Sequence, residues 1–269
     1  MIGNSTHLTT APGAGITLTG NTIYVPLQFW FNKNPGLALP LIALQYHEVK
    51  FNIAFTSLAH NIILGGSTLT GTPSIGYASL YIDYVYLDTD ERRQFAQVQH
   101  EYLIEQLQYT GAESYSATNI KSKLNLNHPC KFLAWVVQLD SMATANLWSN
   151  YGTTTSPSTT TDTMVNAKLQ LNGQDRFSVR DAAYFNLVQP YQHFTRMPAT
   201  GIYVYSFALN PEQHQPSGTV NMSRIDNATL LMELDSAADA QLRVYAVNYN
   251  VFNFLDTVNQ EIDLLVECF

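Results

Sequence analysis

The stretch of sequence that decides the fold is residues 201–234, GIYVYSFALNPEQHQPSGTVNMSRIDNATLLMEL. Residues 202–209 alternate, with Tyr203, Tyr205 and Phe207 on the same face. This period of two, built from aromatic and β-branched residues, predicts a β-strand. The Pro and Gly residues of 210–218 predict a turn, because they cannot continue a central strand. Residues 220–225 and 228–234 are then predicted to form a hairpin about Asp226-Asn227.

Further strands are predicted on both sides of this stretch. Residues 22–31 read as an edge or bulged strand because they contain Pro26. Residues 44–55 alternate cleanly, which predicts a half-buried antiparallel strand. Residues 102–109 fit either a helix or a strand. The remaining predicted strands are residues 77–87, 120–126, 131–139, 165–171 and 242–254.

The connections carry recognisable turn and cap signals. Asn172-Gly173 is a strong hairpin signal. Asp88 is a predicted N-cap with Glu91 at the capping-box position, opening a helix that carries Arg92, Arg93, Phe95 and Ala96. A second short helix is expected to begin near Asp181 and to end before Pro190. Residues 142–163 are rich in Thr and Ser and are predicted to be an exposed loop.

Many short strands separated by turns predict an all-β protein. The length from residue 77 to residue 254 suits a jelly-roll β-sandwich with short helices in its loops. The part before it holds only two or three predicted strands, too few to close a second roll. We therefore divide the chain into residues 1–81, a partial roll, residues 82–254, a complete roll, and residues 255–269, a tail.

The composition favours a protein that assembles. Charged residues make up 13% and hydrophobic residues 46% of the 269-residue chain, against about 25% charged in ordinary soluble domains. Such a chain could hide much of its surface in an assembly, although an ordinary β-rich protein with a Thr/Asn surface is an open alternative. The net charge of −8 and the 13 Lys and Arg residues argue against direct nucleic-acid binding.

The cysteine content and the hydropathy of the sequence bear on where the protein resides. Cys130 and Cys268 do not make a disulfide framework, which suits a reducing compartment such as the cytosol. The longest apolar run, residues 37–44, contains a proline and is far shorter than the roughly 20 residues that a membrane-spanning helix needs. We predict no membrane span.

No set of residues predicts catalysis. Asp88 and Asp90 could bind a metal ion, but helix capping explains both. His47-Glu48 and His100-Glu101 lack the second His that a zinc helix needs. The glycine-rich residues 65–71 fit neither a nucleophile elbow nor a phosphate-binding loop. We therefore predict no catalytic, cofactor-binding or metal-binding residue and no enzyme activity.

Long segments of the chain resemble one viral family, and they do so in the family's order. Residues 201–234 resemble a segment near the C-terminal end of the major capsid proteins of nucleocytoplasmic large DNA viruses. The other similar segments are residues 29–49, 83–93, 100–106, 128–131, 135–138, 172–177 and 243–251.

The resemblance implies a structural protein. Members of this family fold as two consecutive jelly rolls and assemble as trimers that look hexagonal and tile an icosahedral shell. It implies that this chain binds copies of itself, as homotrimers and neighbouring capsomers, and minor capsid proteins. The implied location is the virion capsid, assembled in the host cytoplasm. Relative to the family, we expect an N-terminally truncated or split chain with an unusual tail.

A carbohydrate-binding jelly-roll module is the alternative function. Such a module would use an exposed aromatic groove, for which Tyr203, Tyr205 and Phe207 are the candidates. In the capsid interpretation the same side chains are buried in the core. The solvent exposure of these three residues therefore discriminates between the two functions.

Overall fold

The computed structural model describes residues 22, 24–44, 49–55, 74–145, 147–156 and 159–253, and the backbone of residues 262–268. The chain divides into two compact units, here called the terminal unit (residues 1–102 and 252–269) and the sandwich unit (residues 103–251).

The strands are β1 Val49–Phe55, β2 Glu101–Tyr115, β3 Asn119–Leu124, β4 Pro129–Leu139, β5 Met164–Leu171, β6 Gln174–Asp175, β7 Arg180–Asp181, β8 Ile202–Ser206, β9 Val220–Asn221, β10 Ala228–Leu234, β11 Ala240–Asn253 and β12 Ile262–Cys268. The α-helices are α1 Thr89–Gln97, α2 Asp140–Thr144 and α3 Gln189–His193, the last preceded by a π-helix, Tyr184–Val188.

The sandwich unit is built from two sheets. One has the order β2-β11-β4-β8, with the short β9 beside β4, and the other has the order β3-β10-β5-β6, with the short β7 beside β5. Successive long strands change sheet, apart from the hairpin between β5 and β6. This connectivity is that of an eight-stranded jelly roll. The prediction of an all-β jelly-roll sandwich is confirmed.

Side chains that alternate between buried and exposed along the strands form the core. On β3 the burial alternates strictly, with Ile120, Ser122 and Leu124 buried. On β10 and β11 every second side chain is likewise buried over most of the strand. One face of each sheet therefore enters the core, as a period of two requires. Fully burying one large apolar side chain stabilises the fold by about 1.5–3 kcal/mol, and the largest such side chains include Trp135, Tyr203, Phe185, Leu133, Leu169, Leu230 and Leu242.

The strongest local signals are confirmed. Asn172 and Gly173 have φ values of 51° and 81°, and they join β5 to β6 with Leu171 opposite Gln174. Both φ values are positive, as a type I′ hairpin requires. Asp88 is the N-cap of α1, where its Oδ1 accepts a hydrogen bond from the Thr89 N–H at 2.7 Å. The ambiguous residues 102–109 lie in β2.

The predicted hairpin about Asp226-Asn227 is wrong. Residues 220 and 221 form β9, which pairs with β4 in one sheet, whereas β10 pairs with β3 and β5 in the other. Between them, the Asn221 side chain accepts from the Ser223 N–H and caps a 3-10 turn at Met222–Arg224. Between β9 and β10 the chain therefore crosses from one sheet to the other and does not form a hairpin.

Two predicted strands are also wrong. Residues 24–29 have no regular structure and lead into a 3-10 helix, Trp30–Asn32, whose Asn32 side chain donates to the Leu27 carbonyl. Residues 77–87 have no regular structure either. In both cases the residues favour a strand, but a strand also needs a hydrogen-bonded neighbour, and no described strand supplies one.

Three further expectations need correction. The helix expected to end before Pro190 continues through it, because Pro190 lies in the first turn of α3, where an N–H group is not required. The expected loop at residues 142–163 contains part of α2, and its Met142 and Thr163 are buried. Finally, β1 is paired in parallel with β12, not antiparallel.

The terminal unit holds a small sheet and an aromatic cluster. Strands β1 and β12 run side by side from the Val49–Ile262 pair to the Phe55–Cys268 pair. Near them, Trp30 contacts the rings of Phe31, Tyr102 and Phe252, with centroids 5.3, 6.3 and 5.9 Å away. A two-stranded sheet is marginally stable alone, so these ring contacts are an important part of what holds the unit together.

Candidate functional site

The three aromatic residues that could have lined a sugar-binding groove are in or against the core. Tyr203 has no exposed surface and Tyr205 is 7% exposed, while Phe207 is partly buried against the core cluster. The rings of Tyr205 and Phe207 lie 5.1 Å apart, edge to face. This burial removes the observation on which the carbohydrate-binding alternative depended.

The acidic and histidine candidates have structural partners. Asp88 caps α1, and Asp90 lies 3.8 Å from Arg93 in an exposed ion pair. His100 stacks on Phe95, and its Nε2 lies 2.7 Å from the Phe95 carbonyl oxygen. Within the described part of the chain, no three His, Cys, Asp or Glu residues come together as metal ligands. His47-Glu48 and residues 65–71 lie outside the described residues.

Cys130, the one cysteine whose side chain the structure describes, is unsuited to nucleophilic chemistry. The Cys130 side chain is fully buried on β4. Burial raises the pKa of the thiol to about 12. Because the thiolate is the reactive form, this thiol is inert at neutral pH.

A buried ion pair fixes one long loop of the sandwich unit. Lys131 Nζ lies 2.6 Å from Glu105 Oε1, with the two side chains 1% and 13% exposed. The same ammonium group donates to the Gln213 carbonyl at 3.2 Å and lies 4.9 Å from the centre of the Tyr249 ring. The Tyr249 hydroxyl donates to the carbonyl of His214. The loop of residues 210–218 is therefore tied to two strands of one sheet.

A second anchor holds the threonine-rich segment. Asp162 Oδ1 accepts from the Gly201 N–H at 3.2 Å and from the Tyr203 hydroxyl at 3.3 Å. Burial is the main cause that raises the pKa of Tyr203. Gly201 has a φ of 84°, and a Cβ at this position would lie 2.1 Å from the Tyr151 carbonyl oxygen. Glycine is thus required where this segment passes β8.

The sandwich unit exposes an apolar surface on its helical segment. Leu187, Val188 and Tyr191 are 46%, 40% and 78% exposed. Leu187 and Val188 precede Tyr191 by four and three residues, so each of them lies beside Tyr191 on the helical surface. We call these three residues the helix surface. The sequence reasoning missed it, although that spacing was the available signal.

The comparisons with known proteins identify the family. Residues 91–258 match the family described as the large eukaryotic DNA virus major capsid protein, and residues 4–88 match the family described as the major capsid protein N-terminus. The first match alone covers more than half of the chain. The chain belongs to the major capsid protein family of large eukaryotic DNA viruses.

Individual relatives support this assignment. The chain is 50% identical to a major capsid protein of Pyramimonas orientalis virus and 43% identical to one of Phaeocystis pouchetii virus, over 94% and 88% of its length. It matches a chain in a quasi-atomic model of the PBCV-1 virus capsid with a TM-score of 0.64 and 35% identity, over 86% of this chain and 67% of that chain. The alignments span 63% and 64% of the two viral relatives' own lengths.

The family assignment changes how the described features are read. Because the chain belongs to a capsid protein family, the features of interest are surfaces and the contacts that hold those surfaces in place. The two loop anchors and the helix surface are such features. The signal for the Lys131 anchor in the sequence is a lysine among the mostly apolar residues of β4.

Proposed function

We propose that this chain is a subunit of an icosahedral viral shell, in which three copies form a pseudo-hexagonal capsomer. The observation that carries the proposal is the complete jelly roll of the sandwich unit, combined with the family match over residues 91–258. Its role is packing: a closed β-sandwich leaves few free strand edges and therefore presents a defined surface to its neighbours.

Rigid loops support this role. Repeated contacts in a shell require that each copy presents the same surface. Lys131 contacts Gln213 in the loop of residues 210–218, and Asp162 contacts Gly201 and Tyr203 at the start of β8, so both segments are held by partly buried polar contacts. Polar contacts of this kind favour one conformation of a loop.

The helix surface is the proposed contact between copies. Permanent interfaces are more apolar than the remaining surface and bury more than about 2,000 Å². Leu187, Val188 and Tyr191 offer an apolar centre for such an interface. The low charge content of the chain, 13%, is consistent with a large share of surface becoming buried.

The remaining expectations from the sequence belong to the same proposal. In this proposal, residues 1–81 belong to a first jelly roll, residues 82–254 form the second roll, and residues 255–269 follow it. The protein is located in the virion capsid after assembly in the host cytoplasm. Its partners are copies of itself, neighbouring capsomers and minor capsid proteins, and it does not bind nucleic acid directly.

Sedimentation velocity tests the proposal. We expect a species that contains three copies of the 30.1 kDa chain, either formed by the chain alone or, at a correspondingly higher mass, together with the polypeptide that its longer relatives carry in addition. The substitution Tyr191→Glu should shift this species toward monomer, because it places a charge in the proposed contact. Val165→Glu, at a 42% exposed position on β5, is the matched control and should leave the trimer unchanged. A monomer under both conditions contradicts the proposal.

A further inference from the structure

The Asn172-Gly173 turn has a chemical property beyond its role in the hairpin. The side-chain amide of an asparagine reacts with the backbone nitrogen of the following residue, and a following glycine leaves this approach open because it has no Cβ. Asparagine is for this reason one of the thermolabile residues. Asn172-Gly173 is the one Asn-Gly pair in the sequence. Both residues are exposed, so water reaches them.

The reaction consumes no reagent except water. The backbone nitrogen of Gly173 attacks Cγ of Asn172 and forms a new C–N bond. Its proton passes to the side-chain amide nitrogen, which leaves as ammonia, and a five-membered succinimide ring remains. Water then adds to one of the two ring carbonyl groups and opens the ring. One opening gives Asp, and the other gives isoAsp, whose backbone is one carbon atom longer.

In the folded chain, Asn172 is held by Asn227. The Asn172 backbone N–H donates to the Asn227 carbonyl at 2.7 Å, and the Asn227 backbone N–H donates to Asn172 Oδ1 at 3.1 Å. We call this pair of hydrogen bonds the asparagine clamp. It joins the turn between β5 and β6 to the crossover between β9 and β10, although 55 residues separate its two members.

The asparagine clamp opposes ring closure for a geometrical reason. Closure must bring Cγ of Asn172 within bonding distance of the Gly173 nitrogen. Oδ1 moves together with Cγ, because the amide group is rigid and planar, and this movement takes Oδ1 away from the Asn227 N–H. The Asn172 backbone, with a φ of 51°, is held at the same time by the turn and by the second hydrogen bond. The clamp therefore has to open before the ring can form.

We propose that Asn172 is a site of spontaneous covalent modification, by conversion to Asp and isoAsp, and that the asparagine clamp sets the rate of this conversion in the folded protein. The inference goes beyond the shell function and does not depend on it. The longer backbone of isoAsp lies in the turn that places Leu171 opposite Gln174. A two-residue type I′ turn has no room for an additional backbone atom, so each copy that forms isoAsp loses this turn geometry.

Ageing of the whole chain in mildly alkaline buffer, followed by peptide mass spectrometry, provides the test. We expect Asn172 to be converted roughly 30-fold more slowly in the folded chain than in the same chain unfolded in guanidinium chloride, because two ordinary hydrogen bonds must open together. Asn172→Gln is the control for the chemistry. It should abolish the conversion at this position, because a glutamine would have to close a less favourable six-membered ring.

Two substitutions at one position isolate the asparagine clamp. Asn227→Pro removes the backbone N–H that donates to Asn172 Oδ1 and keeps the carbonyl. We expect Asn172 to be converted roughly fivefold faster in this variant than in the folded wild-type chain, which is the effect of one lost hydrogen bond. Asn227→Ala is the matched control, because it keeps both backbone groups, and it should leave the rate unchanged. Circular dichroism verifies that each variant is folded before ageing.

Hydrogen exchange of the Asn227 amide measures the opening of the clamp without any substitution. Low concentrations of guanidinium chloride should raise this exchange rate and the conversion rate of Asn172 by the same factor. This comparison decides the proposal if Asn227→Pro does not fold.

Four results would overturn the proposal. The first is conversion as fast in the folded chain as in the unfolded chain, and the second is wild-type conversion in a folded Asn227→Pro variant. The third is faster exchange of the Asn227 amide without faster conversion of Asn172. The fourth is an Asn172 that stays unmodified even in the unfolded chain.

Discussion

The sandwich unit and the terminal unit use similar residues with opposite results. In the sandwich unit, Tyr203 and Tyr205 are buried between two complete sheets. In the terminal unit, Tyr81 and Tyr86 are 82% and 92% exposed. Both sets lie in strand-favouring sequence. The difference shows that sequence preference makes a strand possible, and that neighbouring strands decide whether it forms and becomes buried.

The same contrast extends to polar groups. In the sandwich unit, Lys131 and Glu105 form an ion pair whose side chains are 1% and 13% exposed, and removing one member of a buried pair is strongly destabilising. In the terminal unit, Asp90 and Arg93 form a pair whose side chains are 92% and 73% exposed, where such pairs contribute little. The predictions below test this contrast, from the largest expected effect to the smallest.

Replacing Lys131 should cause the largest loss of stability. Lys131→Met keeps the apolar stem but removes the ammonium group that lies 2.6 Å from Glu105, and we expect the loss of this member of a buried ion pair to cost about 3–5 kcal/mol. Urea unfolding followed by tyrosine fluorescence measures the loss. Lys168→Met breaks the more exposed pair with Asp175, whose atoms lie 3.2 Å apart, and should cost no more than about 1 kcal/mol. Equal losses for the two variants would contradict the described burial.

Trp135 tests the core of the sandwich unit. Its side chain is 1% exposed, so Trp135→Ala should cost about 3–5 kcal/mol by opening a cavity. Among the described buried side chains, the Trp135 indole N–H is the polar group that lacks a hydrogen-bond partner. Trp135→Phe should therefore cost distinctly less, because it also removes an unpaired donor. Chemical denaturation compares both with Trp148→Ala, at a 56% exposed position, which should change stability by about 0.5 kcal/mol or less.

Gly201 tests the anchor of the threonine-rich segment. Gly201 and Gly173 both have positive φ values, 84° and 81°, but only at Gly201 would a Cβ contact the backbone closely. Gly173→Ala should cost about 1–2 kcal/mol for the backbone conformation alone. Gly201→Ala should cost more, because Tyr151 or β8 must also move. Thermal unfolding of the two variants gives the difference, and equal melting temperatures would show that this close approach is absent.

The smallest predicted effect is on alkaline stability. Burial, followed by the negative charge of Glu105, raises the pKa of Tyr249 to about 12, from about 10 in the unfolded chain. The folded state therefore favours the neutral phenol, and this contribution is present below pH ~10 and lost as the pH rises toward ~12. Denaturation measured across this range should show a shallower decline for Tyr249→Phe. An unchanged slope would mean that Tyr249 does not contribute.

Local signals predicted the sandwich unit well because they coincided with its tertiary contacts. The alternation at residues 120–126 and 131–139 and the Asn172-Gly173 turn all correspond to observed strands or turns. The hairpin about Asp226-Asn227 was wrong because sequence cannot show that consecutive strands join different sheets. The strand at residues 77–87 was wrong for a related reason, since its neighbours are not encoded in its own residues.

Some functional features could be predicted from the sequence and others could not. The burial of Tyr203 and Tyr205 was a stated condition of the capsid interpretation, and the structure meets it. The Lys131–Glu105 pair could not have been predicted, because 26 residues separate its members and only the sheet brings them together. The proposed function came from the family resemblance, whereas the fold class followed from the physical pattern of the residues.

Native-state hydrogen exchange of the whole chain tests the contrast between the two units most directly. We predict that amides in the centres of β4, β10 and β11 exchange only through global unfolding. Amides of residues 75–87 should exchange nearly as fast as in an unfolded peptide when the chain is alone. Protection of residues 75–87 equal to that of β4, in the chain by itself, would contradict the account.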